Sequence, residues 1–173
     1  MRIRVQSHKP SNSAKALAEH LQIPRLSTSS SRFVGRPSDI IVNWGNVNTV
    51  HNSHYLNPLQ AVKNAANKVT TFKQLQEASI PVPTVHYSKS TLEADKTYFA
   101  RTNLFGHSGD GIEVGIPTEL PEAQLYTEFI KKKHEYRAIV VDDEVVDLKK
   151  KLKKRDFEGA RSPYVWNVPN GYT

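Results

Sequence analysis

The chain has 173 residues, a net charge of +7, 38% apolar residues and no cysteine. Without thiols it has no disulfide, no thiolate metal site and no cysteine nucleophile, and no apolar run approaches the ~20 residues of a membrane-spanning helix. The length suffices to bury about 70% of the surface that the unfolded chain exposes, in one domain or two small lobes.

The first residues alternate charge with Ile3 and Val5 and carry no signal-peptide pattern, which predicts a soluble, cytoplasmic protein. Arg2 to Gln6 reads as a strand. Ser11-Asn12-Ser13 then caps a helix whose Ala14, Leu17, Ala18 and Leu21 share one face, and Pro24 stops it. After a serine-rich loop from Ser27 to Ser31, the apolar run Asp39 to Trp44 reads as a second strand closed by Gly45-Asn46. This β-α-β order predicts a small parallel sheet with a crevice at the carboxyl ends of its strands. There Ser7, His8, Asn43 and Trp44 are either ligand contacts or plain loop residues.

Asn57-Pro58 reads as a cap with proline at the first helical position, and Leu59, Val62, Ala65 and Ala66 form an apolar helical face. A further helix covers Val69 to Ala78, with Phe72 and Leu75 inward, until Ile80-Pro81-Val82-Pro83 breaks it. Strand signals follow at Tyr98 to Thr102, Ile112 to Ile116, Leu125 to Ile130, Tyr136 to Val141 and Val145 to Leu148. The last two are joined through the acidic turn Asp142-Asp143-Glu144. Helices followed by a hairpin-rich antiparallel sheet give an α+β chain.

Three features bear on chemistry. The segment Arg101 to Ile112 joins a cation at a strand end to Gly106, Gly109 and Gly111, which permits backbone N–H groups to converge on phosphate oxygens. Its Gly-x-x-Gly-x-Gly spacing matches neither the dinucleotide fingerprint nor the Walker A loop, and an ordinary hairpin connection is the alternative. Lys131 to Arg155 holds ten Lys or Arg against five acids, which implies a negatively charged partner: nucleic acid, a nucleoside triphosphate or an acidic peptide. His51-x-x-His54 lacks the further ligand that a metal site requires, and no Gly-x-Ser-x-Gly elbow is present.

Four pieces occur in a particular order: Asn67-Lys68 opening a helix that ends in Ile80-Pro81-Val82-Pro83; Arg101 before the glycine loop; Tyr126-Thr127-Glu128-Phe129-Ile130-Lys131; and Glu135-Tyr136-Arg137 before a hairpin. In this order they resemble the ATP-grasp superfamily, closest to the RimK-like ligases and the short stand-alone ATP-grasp proteins often carried by bacteriophages. The resemblance covers about residues 57 to 173, the ATP-grasp-like part, with residues 1 to 56 as a small N-terminal α/β segment. It implies a two-lobe fold with ATP between the lobes. Lys68 and Arg101 would then neutralise the phosphates, and the loop from Gly106 through His107, Ser108 and Gly109 to Gly111 would close over them. Glu128, Phe129 and Ile130 would form the adenine hinge, Lys131 and Glu135 would contact ribose or nearby polar groups, and Arg137 would lie near the transferred phosphate or substrate carboxylate. The implied reaction joins a carboxylate to an amine through an acylphosphate, with magnesium bridging the phosphates.

The chain departs from that family in lacking the C-terminal segment that carries its magnesium ligands; Asn167 and Asn170 are neutral. Metal ligands are therefore unassigned, and the second lobe is expected to be incomplete. Three alternatives stand: a fragment, a split protein completed by a second chain, or a degenerate nucleotide binder. A bacteriophage source would place it in the cytoplasm of an infected host. The rival is a basic nucleic-acid-binding module using Lys131 to Lys133 and Lys149 to Arg155, with strong salt dependence and little sequence preference.

Overall fold

The computed structural model describes residues 1–7, 10–26, 31–48, 51–106, 109–159 and 162–173. His8, residues 27–30 of the serine-rich loop, and the loop residues His107 and Ser108 lie outside the described residues. Among the described residues the protein is a mixed α/β chain with three α-helices and several sheets. No helix among the described residues is long and apolar enough to cross a membrane. The chain forms two compact units, Met1–Thr71 and Phe72–Thr173.

The first unit is built on a four-stranded parallel sheet. Its strands are β1 (Ile3–Ser7), β2 (Arg25–Leu26), β3 (Ile40–Trp44) and β4 (His54–Leu56), in the order β2-β1-β3-β4. Helix α1 (Asn12–His20) crosses between β1 and β2, capped by the Ser11 side chain, which accepts from the Ala14 N–H. Its period places Ala14 and Ala18 on buried Val5, with Leu17, Ile23 and Val42 around them, and Leu21 falls outside that face, half exposed. Asn43 is fully used in closing the loop after β3. Its amide donates to the carbonyls of Asn46 (3.0 Å) and Asn57 (2.9 Å), while its side-chain oxygen accepts from the Asn46 N–H (2.9 Å). Trp44 donates its indole N–H to Ser13 Oγ at 3.0 Å, and Ser7 is buried. These placements favour structural roles over the crevice reading.

Asp39 terminates the loop before β3 and is buried against Arg2. It accepts from the Arg2 guanidinium, from the Arg2 backbone N–H (2.9 Å) and from the Arg36 N–H (3.0 Å). The hydrogen bond from Arg2, outweighing the opposing effect of burial, holds its carboxyl far below the usual range. A depressed carboxylate stabilises the fold above its unfolded-state value, here about 3.8, and loses that contribution as pH falls toward the folded-state value. Asp39→Asn is expected to melt at a lower temperature than wild type at neutral pH. Its stability should also fall less steeply below about pH 4, where Asp39 of the wild type takes up a proton on unfolding while the folded-state carboxylate stays ionised; thermal melts followed by circular dichroism across that range measure both.

Helix α2 (Leu59–Ala66) starts one position later than the cap reading predicts. Pro58 occupies the cap, without a side-chain hydrogen bond, because Asn57 adopts φ +61° and turns its amide toward the Asn43 carbonyl (3.3 Å). Helix α3 (Lys68–Glu77) is opened by Asn67, whose side-chain oxygen accepts from the Thr70 N–H at 3.2 Å. The boundary between the units falls within α3.

The second unit contains an antiparallel sheet of β5 (Val85–His86), β6 (Tyr98–Arg101), β7 (Ile112–Gly115) and β8 (Tyr126–Glu128), ordered β5-β8-β6-β7. Two-residue alternation on β6 sends Tyr98 and Ala100 into a core with Leu120 and Tyr126, and puts Phe99 and Arg101 on the other face. A separate hairpin pairs β9 (Tyr136–Val141) with β10 (Glu144–Lys150). Its loop is only Asp142-Asp143, both at positive φ (52° and 63°) as a type I′ turn requires, with Glu144 opening β10. Residues 171–173 run back alongside 152–154, through paired backbone hydrogen bonds between Leu152 and Thr173 (3.0 and 2.9 Å).

Candidate functional site

The second unit encloses a cavity of about 530 Å³, within the ordinary size of small-ligand sites. Three segments build it. The outer face of β6 contributes Phe99 and Arg101. One face of the β9-β10 hairpin contributes Arg137 and Lys149, which are directly opposite in the register, and beyond them Glu135 and Lys151. The irregular segment 164–173 closes the wall with Tyr164, Trp166 and Tyr172. Gly109 of the glycine loop also lines it.

Among the described residues five cationic side chains thus share the cavity, Arg101, Lys132, Arg137, Lys149 and Lys151, against the single carboxylate side chain of Glu135. That carboxylate is already taken, since Lys132 and Lys151 both ion-pair with it. Burial pushes the Glu135 carboxyl up, but the hydrogen bonds from the two lysines outweigh this and hold it below the usual range. Lys151 also donates to the Trp166 carbonyl at 2.6 Å, and the Lys132 ammonium lies 5.0 Å from the centre of the Trp166 ring. Trp166 and Tyr172 stack with 5.0 Å between centroids and 7° between planes. Lys149 pairs with Asp147 at 2.8 Å in an exposed position that water screens.

Arg101 differs from the other cations. Its Nε is buried with no hydrogen-bond partner, and no carboxylate pairs with its guanidinium among the described residues. The Phe72 ring lies near it, with 6.0 Å from the guanidinium carbon to the centroid. Burial alone pushes its pKa down from the ordinary arginine value. A buried donor left unpaired costs about 1–3 kcal/mol, more when charged, so this side chain is held at an energetic disadvantage on the wall of a cationic cavity.

The glycine loop is a hairpin connection between β6 and β7. Thr102 N–H donates to the Gly111 carbonyl (2.9 Å) and the Asn103 amide donates to Asp110 (2.7 Å). Gly111, at φ +66°, leaves no room for a side chain, because a β-carbon would stand 2.7 Å from the Asn103 nitrogen. Of the expected site residues, then, Arg101, Gly109, Glu135 and Arg137 meet in the cavity, while Gly106 and Gly111 shape the loop without lining it. Glu128 ion-pairs with Lys96 at 3.5 Å. Phe129 packs its ring against Phe99 and Tyr164, at 5.7 and 5.3 Å, and Ile130 and Lys131 are exposed. Lys68 opens α3 in the first unit.

The aromatic side chains of 164–172 are the lining residues that the sequence reading passed over, while Lys132 was named there only as part of the basic run Lys131 to Lys133. They belong to irregular segments, where no period marks a face. Lys149 to Lys151 were legible as charge but not as geometry: strand alternation turns Lys149 and Lys151 toward the cavity and Lys150 to the opposite face.

No group of three or more metal-ligating side chains occurs among the described residues, so His51 and His54 do not form part of such a cluster. With Glu135 occupied by two lysines, the cavity's donor set does not fit a protein-held magnesium ion. No protein-family model and no curated protein matches the sequence.

Proposed function

We propose that the second unit binds ATP in this cavity, as a nucleotide-binding domain of ATP-grasp type. The observation that carries this reading is the half-buried Arg101 side chain, whose buried Nε has no hydrogen-bond partner, on the wall of a cavity lined by four further cations. A triphosphate would supply the acceptors that Arg101 lacks, in charge-assisted hydrogen bonds for which a guanidinium fork is suited. Arg137 and Lys149, paired across the hairpin, would hold the other end of the anion. Tyr164 and Trp166, the latter backed by the buried Tyr172, would offer a purine an apolar ring surface.

In a carboxylate–amine ligase these cations would stabilise negative charge on a phosphoryl group passing to the carboxylate, a task for positioned charge rather than for a general base. The chain's own residues would bind and orient the phosphates. No step is assigned to a magnesium ion, for which the cavity lacks ligands.

Isothermal titration calorimetry of the wild-type chain with Mg-ATP tests this reading. A saturable one-to-one isotherm that persists at physiological salt is expected. No heat with ATP, together with salt-sensitive retardation of a duplex oligonucleotide, would turn the assignment to the nucleic-acid reading, because backbone-phosphate binding is lost steeply as salt rises.

A further inference from the structure

The β9-β10 hairpin has two unlike faces. Register pairs Val140 with Val145, Ala138 with Leu148 and Tyr136 with Lys150 on the face opposite Arg137 and Lys149. On that face Tyr136, Val140, Val145 and Leu148 are 53, 57, 61 and 61% exposed, with Lys150 the one charged residue among its pairs; the reverse face exposes Ile139 and Val141 as well, but pairs them with Asp147 and Glu144 beside Arg137 and Lys149. A two-stranded hairpin is marginal in water by itself, and a contiguous apolar strip of this kind marks an interaction surface.

Charge along the hairpin identifies what covers it. The tip carries Asp142, Asp143 and Glu144, and the base carries Lys131, Lys133 and Lys150. Two hairpins stacked face to face and antiparallel set each acidic tip against the other's basic base, twice over, while their valines and leucines meet at the centre. A parallel arrangement would oppose like charges. We infer that this face docks a second copy of the chain about a two-fold axis, closing at a dimer. A two-fold contact is self-complementary and adds no further copies, and the cavity on the reverse face stays open. The inference is independent of the ligand.

Sedimentation equilibrium on the whole chain tests it. The expected result is a monomer–dimer equilibrium that weakens as salt rises. Val140→Lys with Leu148→Lys, both at exposed positions, should raise the dimer Kd at least ~100-fold. Asp142→Asn with Asp143→Gly keeps a turn suited to two positive-φ residues while removing two acids; it should raise Kd about 10-fold and flatten the salt dependence. A wild-type mass of one chain at every concentration up to about 100 µM, where a standard-size interface would be populated, overturns the inference. So does an oligomer larger than two, or a dimer unchanged in the Lys variants with circular dichroism matching wild type. A dimer indifferent to salt and to the tip substitutions overturns the antiparallel arrangement.

Discussion

Replacing Arg101 with methionine is expected to abolish ATP binding and to raise the melting temperature of the protein. The two effects share one cause. The side chain is half-buried on the cavity wall, with its Nε buried and unpaired and its pKa lowered by burial, so the unliganded protein carries an uncompensated donor. Methionine fills a similar volume with no polar atom to desolvate, relieving about 1–3 kcal/mol. The bound state would lose charge-assisted hydrogen bonds, each about 1.5–3 kcal/mol, so Kd for Mg-ATP should rise at least ~100-fold. Calorimetry reads the binding and a thermal melt without nucleotide reads the stability. A variant that binds ATP as wild type does would remove Arg101 from the site; one that loses binding because it unfolds would show a lower melting temperature, opposite to the expected shift.

Tyr126→Ala should produce the largest loss of stability, and in the second unit. Tyr126 is completely buried beside Tyr98, Ala100 and Leu120. Its hydroxyl accepts from the Ala123 N–H (2.6 Å) and donates to the Pro121 carbonyl (2.9 Å), pinning the segment that leads into β8. Removing a buried aromatic ring costs about 3–5 kcal/mol, a large fraction of the stability of an ordinary domain. Tyr126→Phe keeps the ring but leaves a backbone donor and acceptor unpaired, at about 1–3 kcal/mol. Chemical denaturation should rank wild type, Phe and Ala in that order. Amide exchange in β6 and β8 should accelerate most in the Ala variant, and equal midpoints for all three would show that this ring does not anchor the unit.

The parts legible in the sequence are those with a period. β1, α1, β3 and α3 lie within a residue or two of where alternation and helical spacing put them; β1, α1 and β3 bury one face against a neighbour, whereas α3 has no buried residue and is bounded by its Asn67 cap and the prolines that follow it. β2, β4 and β5 are two or three residues long, too short to display alternation; they exist because a neighbouring strand offers free backbone groups. His54 accordingly opens β4. Within the cavity, Arg101 was legible because it ends a strand at a glycine-rich loop, and Arg137 only through its place in the ordered pieces that carry the family resemblance. The aromatic wall was not, since Tyr164, Trp166 and Tyr172 are brought together by backbone pairing between 152–154 and 171–173, a long-range contact that no local pattern encodes.

Lys151 joins three stretches of chain at one nitrogen: its own strand end, the Glu135 carboxylate and the Trp166 carbonyl. The width of the cavity mouth is therefore gauged by the reach of a single four-carbon stem. An arginine at this position would preserve the charge, yet its rigid planar fork presents donors at other angles and greater reach. It would have to wedge the hairpin away from the tryptophan. At this point in the chain the two basic amino acids are different mechanical parts.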